Sequence, residues 1–374
     1  MRRTPLSRPG GHSTISYLAP HPTARPPHGP GNRYRAAMPQ PLDTDAEAAP
    51  WRPDLFPPGL PVAGTVAAHA SGRAWLARLP RLVRETAERW ELRLSPPFHG
   101  GSCSWAAPVR LPDGGPAVLK VTWPHREAAG EAAALRAWGG HGAVRLLAHD
   151  PARHALLLER CVPGTTLLDA VPEAGRHTAP PDTALSPEEG LGRAADVLDA
   201  LWRAPRPPDG ELESVAAVCA EWSDQVRERA ARLRPPYDPG LVELGASLLR
   251  ELPATARREV VVHGDFNPGN VLAADGPRGW LAIDPKPMTG DPGYDPWPLL
   301  TQLDDPFEHE SPGEVLRCRL RLLADRLDEQ PERMAAWGVA RSVESALYAA
   351  AHDDVPGGAE ELAEARVLAE VAGL

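Results

Sequence analysis

The stretch from Val261 to Lys286, VVHGDFNPGNVLAADGPRGWLAIDPK, constrains this chain more than any other part of it. Two apolar runs, EVVV and WLAI, flank a loop that groups His263, Asp265, Asn267 and Asn270 and then delivers Asp284 at the end of a short strand. Pro268 and Gly269 fix a turn there instead of continuing a helix, so the polar side chains sit on a rigid frame. Hard cations such as magnesium take oxygen ligands. In nucleotide enzymes one or two side chains plus substrate phosphates complete the shell, so Asn270 with Asp284 would suffice. Asp265 then stays available to accept a proton. A binding or catalytic site is the first expectation.

The chain around this loop has 374 residues, 42% hydrophobic and 24% charged, enough for one large or two moderate cores. A formal net charge of −10 argues against a general nucleic-acid binder and is compatible with a cationic ligand. Cys103, Cys161, Cys219 and Cys318 lie far apart without a CxxC pair, so neither a zinc site nor a disulfide framework is expected, and they read as thiols in a reducing compartment. No apolar run approaches the roughly 18 residues that span a bilayer, and the N-terminus lacks a signal-peptide core. A cytoplasmic location with no membrane partner is expected.

Residues 1–50 are dominated by Pro, Arg, Gly, His and Ala and are expected to be disordered, with Met38 as an alternative start. Order is expected from near Trp75, where Leu79, Leu82, Val83, Thr86 and Trp90 recur at helical spacing. Two strand-like runs joined by the turn PDGG follow, and Lys120 lies in the second, AVLKV. A lysine there reads first as the polar side of a half-buried strand. PHREAAGEAAALRAWGG is expected as one helix beginning at Pro124 and stopped by its Gly pair, with Glu127 and Glu131 on one face. Glu131 also shares a face with Leu135 and Trp138. It would point inward, where an unpaired carboxylate is costly, and Lys120 is the nearest cation in the chain.

Strands AVRLLAH and ALLLERC complete a small sheet, and from there the chain is helical apart from the opening stretch. Ser186 with Glu189 and Ser311 with Glu314 both read as capping signatures, the second before a helix carrying Leu316, Leu320, Leu323 and Leu327 in register. The expected organisation is a disordered extension (1–50), a sheet-bearing lobe (51–160) and a helical lobe (161–374).

Lys120, Glu131, Asp265, Asn270 and Asp284 are the kinds of group that phosphoryl transfer needs, because its catalysis is mainly positioning and charge neutralisation. Lys120, held by Glu131, would take the α- and β-phosphates. Asn270 and Asp284 would hold magnesium, and Asp265 would align a substrate hydroxyl and take its proton. HGDFNPGN followed by LAIDPK resembles the aminoglycoside phosphotransferases, which use HGDxxxxN where protein kinases use HRDxxxxN. PFHGGSCSWAAPV, AVLKV, GEAAALRAW, GAVRLLAHD, ALLLERCVPGTTL and IDPKPMTGDPGYDPWPLL are similar, in the same order, to the branch containing streptomycin 6-kinases and hydroxyurea phosphotransferases. The similarity runs from about Trp75 to Tyr348.

The resemblance implies an α+β, protein-kinase-like two-lobe fold and ATP with Mg2+ as cofactors. It implies Asp265 as catalytic base, Asn270 and Asp284 as metal ligands, and Lys120 with Glu131 as the phosphate-holding pair. It also implies an adenine-binding hinge in the backbone of Glu159 to Cys161 and phosphate contacts from the amides of Gly101 and Ser102, although GGSCSWA departs from the GxGxxG spacing. His263 reads as structural and Asp295 as a helix cap. Asp291 reads as either a turn residue or a cleft acid, and Asn267 and Lys286 as neighbours without a role. The acceptor is expected to be a small, cationic molecule with a hydroxyl. Glu221, Asp224, Asp304, Asp305 and Glu308 either line its receiving surface or lie on solvated helix faces. No basic, aromatic-lined groove for nucleic acid is present in the sequence. Three functions follow from these residues: an aminoglycoside kinase acting on a streptomycin-like antibiotic, a kinase of hydroxyurea or an endogenous sugar or amino alcohol, and a nucleotide-binding pseudokinase regulator.

Overall fold

The computed structural model describes residues 52–171 and 184–374; the extension expected to be disordered lies outside the described residues. Ordered structure begins well before Trp75, with a 3-10 turn at Pro53–Leu55, α1 (Pro61–Ala67) and α2 (Ala70–Arg89). The early part escapes a periodicity reading because its apolar anchors, Leu55, Leu60, Val62 and Val66, are scattered among Pro and Gly, yet all four are buried.

The strands β1 (Arg93–Leu94), β2 (Ser104–Arg110), β3 (Pro116–Thr122), β4 (Leu146–Asp150) and β5 (Ala155–Glu159) form an antiparallel sheet in the order β1-β2-β3-β5-β4. Strand alternation divides its two faces. Trp105, Ala107 and Val109 of β2, Ala117, Leu119 and Val121 of β3, and Ala155 and Leu157 of β5 pack with α1 and α2 into one core. Ser104, Ala106, Val118, Lys120, Thr122 and Leu158 face the other way, into a cleft.

The run after Pro124 is not the single helix its composition suggests. A 3-10 turn occupies Arg126–Ala128, and α3 (Glu131–Trp138) starts only at Glu131. Gly130 marks the break, where the chain passes so close to Leu212 and Pro287 that a Cβ would meet their side chains at 2.7 and 3.1 Å. Glu127 therefore leaves the helical face it was expected to share with Glu131 and lines the cleft. Helix α3 ends as expected, with Gly139 in the left-handed conformation.

The larger lobe holds β6 (Pro163–Thr166), α4 (Leu167–Ala170), α5 (Pro187–Trp202), β7 (Glu213–Ser214), α6 (Val215–Leu233) and α7 (Pro239–Ala254). It continues through β8 (Val260–Val262), β9 (Val271–Ala274), β10 (Trp280–Ala282), β11 (Met288–Gly290), α8 (Trp297–Gln302), α9 (Pro312–Leu327), α10 (Pro331–Ala351) and α11 (Val355–Ala372). Two small sheets, β10-β9-β6 and β7-β11-β8, frame the opening stretch. Ser186 and Glu189 form the expected reciprocal cap of α5. Ser311 makes no side-chain cap, yet α9 forms with Leu316, Leu320, Leu323 and Leu327 all buried, so packing of its apolar stripe holds the helix. Among the described residues no helix is long and apolar enough to cross a membrane.

Candidate active site

Strand alternation aims Lys120 into the cleft, and α3 brings Glu131 beneath it. Lys120 Nζ donates to Glu131 Oε1 at 2.6 Å and Oε2 at 2.8 Å, and to Asp284 Oδ1 at 2.5 Å. Those contacts clasp the ammonium between two carboxylates. Burial works against the charge on Lys120, but Asp284 and Glu131 outweigh it and raise its pKa. Glu131 is 3% exposed, and its pKa is raised by burial despite Lys120. Removing Lys120 would leave the Glu131 carboxylate without its cation in the interior.

The catalytic-loop candidate follows β8, which pairs with β11. Gly264 adopts φ +81°, and a Cβ there would lie 1.9 Å from the carbonyl oxygen of Lys286. Only glycine permits this approach, which the bond from Lys286 N–H to His263 O (2.8 Å) closes. His263 is fully buried. Its Nε2 donates to Ile283 O at 3.0 Å, and its Nδ1 accepts from the Asp265 amide at 3.3 Å. Both bonds suit a neutral ring, and burial lowers its pKa to about 4. His263 is thus a tie between the Asp265 loop and the Asp284 loop.

Asp265 turns toward the cleft. Its Oδ1 accepts from Asn267 Nδ2 at 3.1 Å and its Oδ2 lies 3.1 Å from Lys286 Nζ, while its carbonyl accepts from Asn270 Nδ2 at 2.9 Å. The two neighbours that sequence reasoning left without a role, Asn267 and Lys286, are the side chains that hold this carboxylate. The pairing of Val271 with Ala282, extended by the bond from Ile283 N–H to Asn270 O (2.9 Å), sets Asn270 beside the residue that precedes Asp284. Asp284 takes φ 55°, a left-handed conformation that Asp tolerates better than most side chains. Burial opposes its ionisation, but Lys120 overrides that and holds the carboxyl at about 2. Its side chain keeps 49% exposure toward the cleft.

The cleft between the lobes encloses about 510 Å³ and is lined by Gly101, Ser102, Lys120, Glu131, Glu159, Cys161, Asp265, Asn270 and Asp284, so every sequence-predicted site residue reaches it. One expectation changes in detail. Glu159 is already engaged, its amide bonded to Arg145 O, and its carboxylate taken by Arg145 N and the Arg278 guanidinium. Cys161 carries a buried thiol pushed up to about 11 by burial. Glu127 was missed. It sits 3.7 Å from Lys286 Nζ, its Oε1 has no hydrogen-bond partner among the described residues, and burial pushes its pKa up to about 7.

Asp295 is not a helix cap. The N-cap of α8 is Pro296, and the Asp295 carboxylate instead accepts from His263 N and Gly264 N at 2.9 Å each and from Trp202 Nε1 at 3.1 Å. It braces the Asp265 loop from behind, with its pKa raised to about 6 by burial. Asp291 is a turn residue, bonded to Gly293 N, Arg333 and Trp337 and absent from the cleft wall. The acids considered for an acceptor surface lie elsewhere: Glu221 pairs with Arg126, Asp224 with Arg250, Asp304 with Arg319, and Asp305 caps the 3-10 turn at Pro306–Glu308. Glu308 also lies outside the cleft wall.

A family model described as aminoglycoside/hydroxyurea antibiotic resistance kinase matches residues 89–353. The chain is 35% identical over 278 residues to streptomycin 6-kinase of Streptomyces glaucescens, covering 74% of this chain and 85% of that protein. It is 36% identical over 306 residues to hydroxyurea phosphotransferase of Kitasatospora aureofaciens, covering 81% and 83%. Among solved structures, choline kinase LicA from Streptococcus pneumoniae shares the fold at 14% identity and a TM-score of 0.52, covering 78% of this chain and 99% of LicA.

Proposed function

The chain belongs to the aminoglycoside/hydroxyurea antibiotic resistance kinases, and from that membership we propose that it transfers the γ-phosphoryl group of ATP to a hydroxyl of a streptomycin-like aminoglycoside. The observation that carries this reading is the single cleft in which Lys120, clasped by Glu131 and Asp284, faces Asp265 and Asn270. Lys120 contacts the α- and β-phosphates, and the amides of Gly101 and Ser102 cover them. The backbone between Glu159 and Cys161 receives adenine, with the Arg278 contact to Glu159 keeping that segment in place. Asp265 is the base, oriented by Asn267 and Lys286, and it aligns the acceptor hydroxyl and receives its proton.

Asn270 and Asp284 offer hard amide and carboxylate oxygens of the type Mg2+ prefers, and Asp284 remains half open to the cleft, so the donor set fits that ion. Bound magnesium would neutralise charge on the phosphate oxygens. Hydroxyurea is the second acceptor reading, favoured by a relative of equal similarity.

The test is ADP release from magnesium-ATP with streptomycin, other aminoglycosides, hydroxyurea and simple amino alcohols. Turnover is expected with a streptomycin-like acceptor. Tight nucleotide binding without turnover on any of them would replace this reading with a regulatory one. Asp265→Ala is expected to lower turnover about 100- to 10,000-fold while ATP affinity stays within a few-fold. Near-normal turnover in that variant would remove the base assignment.

A further inference from the structure

We propose that Lys286 is a catalytic residue, the cation that meets the transferring phosphoryl group beside the base. This rests on the kinase reading above, and no motif of the sequence assigned Lys286 a role.

Three observations carry it. The first is its placement by the backbone. The bond from Lys286 N–H to His263 O and the contact that excludes any side chain at Gly264 fix Lys286 to the loop that bears Asp265. Its side chain then runs along that loop to put Nζ 3.1 Å from Asp265 Oδ2. Any hydroxyl served by Asp265 must come within roughly 2.6–3.2 Å of that carboxylate. The phosphorus it attacks must lie roughly 3–3.5 Å from the hydroxyl oxygen. A cation 3.1 Å from the base is therefore within reach of the oxygens of the group in flight.

The second observation is that the other lysine of the cleft is occupied. Lys120 Nζ lies within 2.8 Å of three oxygens of Glu131 and Asp284, which suits it for holding a nucleotide in place and leaves it poorly disposed to follow charge as it moves. The third is the neighbour on the far side of Lys286. Glu127 comes from the sheet-bearing lobe and stands 3.7 Å from Nζ, so Lys286 sits between two carboxylates of opposite lobes in the wall of the cleft.

In the step itself, the acceptor oxygen forms a bond to the γ-phosphorus and the bond from that phosphorus to the β,γ-bridging oxygen breaks, its electron pair leaving on ADP. The hydroxyl proton passes to Asp265. In the transition state the charge of the transferring group is spread over its three equatorial oxygens, and a preplaced ammonium stabilises it without reorganisation.

The test compares wild type with Lys286→Met and Lys286→Arg in three measurements: turnover with streptomycin or hydroxyurea, thermal unfolding, and equilibrium affinity for ADP against the non-hydrolysable β,γ-imido analogue of ATP with magnesium. Lys286→Met is expected to lower kcat about 100-fold or more with the acceptor KM nearly unchanged, in line with the loss of one transition-state donor. Its preference for the imido analogue over ADP should shrink about tenfold, since the lost cation contacts the γ-phosphate. Lys286→Arg should recover part of both. Turnover of Lys286→Met within a few-fold of wild type would overturn the proposal. So would a fall in kcat with an unchanged analogue preference, which would confine Lys286 to orienting Asp265. Should Lys286→Met unfold, the same two readings on Lys286→Gln decide. A wild-type protein that binds neither nucleotide overturns the kinase reading and this proposal together. One that binds both, with variants indistinguishable from it, removes Lys286 alone.

Discussion

Two lysines face the same cleft and are held in opposite ways. Lys120 is 9% exposed in its side chain, comes from the middle of a sheet, and has three carboxylate contacts between 2.5 and 2.8 Å. Lys286 is 24% exposed, comes from a loop, and has carboxylates at 3.1 and 3.7 Å. The tight set is a fixed piece of architecture that, in the proposed kinase, would also present a charge to a nucleotide. The looser set would exchange partners when a phosphoryl group arrives. Both lysines pair with carboxylates in space, so the pairing alone does not tell them apart. Burial and distance do.

The comparison is broken most directly by taking the charge out of the tight set. Lys120→Met leaves Glu131 ionised or forced to protonate in the interior, with Asp284 repelling it, and breaking a buried pair in this way costs about 3–5 kcal/mol. Urea unfolding at neutral pH should show that loss. The same replacement at Lys286 should shift the unfolding free energy by about 1 kcal/mol or less, as for partly exposed pairs. Equal losses at the two positions would abolish the distinction drawn here.

A second substitution tests whether the backbone sets the looser lysine. In Gly264→Ala the new methyl meets the Lys286 carbonyl oxygen and the residue must hold a positive φ. Left-handed strain of about 1–3 kcal/mol and the threatened bond from Lys286 N–H to His263 O together predict a loss of about 3 kcal/mol. Turnover should fall far more than nucleotide affinity, because Asp265 and Lys286 move apart while Lys120 and Glu131 are untouched. A variant with full turnover would show that the register of these two loops does not matter for catalysis.

The sequence made the tight set legible and the loose one nearly invisible, for physical reasons. Lys120 and Glu131 announce themselves because periodicity is strict in a strand and a helix: alternation aims Lys120 off the packed face, and the stripe of Leu135 and Trp138 drags Glu131 inward. Asp265, Asn270 and Asp284 are legible from spacing along one loop. Glu127 was assigned to the wrong face because Gly130 breaks the run that Ala, Leu and Glu seemed to make helical, and the break is imposed by Leu212 and Pro287 from distant segments. Asp295 was misread for a related reason. An Asp before Pro looks like a cap, and only the tertiary fold brings it behind His263 and Gly264 to accept their amides. Lys286 carried no signal beyond its place after Asp284, since its meaning depends on a backbone contact across the hairpin.

One further expected effect has the opposite sign and sharpens the comparison most. Glu131 answers to a lysine at hydrogen-bond distance, whereas Glu127 has Lys286 at 3.7 Å, His125 Nε2 at 4.0 Å and a buried oxygen without a hydrogen-bond partner among the described residues, and burial pushes its pKa from 4.5 up to about 7. A carboxyl whose folded-state pKa is raised contributes its stability fully below the unfolded value of 4.5 and loses it as pH rises through about 7. At about pH 8 the wild-type protein therefore carries an ionised, poorly paired carboxylate at a cost of about 2–3 kcal/mol. Glu127→Gln removes that titration, so the variant should gain about this much stability over wild type at about pH 8, and the gain should vanish below about pH 4.5. Denaturant unfolding at several pH values reads the difference. A gain that is flat with pH, or a loss at about pH 8, would mean that Lys286 pairs with Glu127 as firmly as Lys120 does with Glu131. A pH-dependent gain would mean that the looser set is held ready at the expense of stability, as a group that acts during turnover requires.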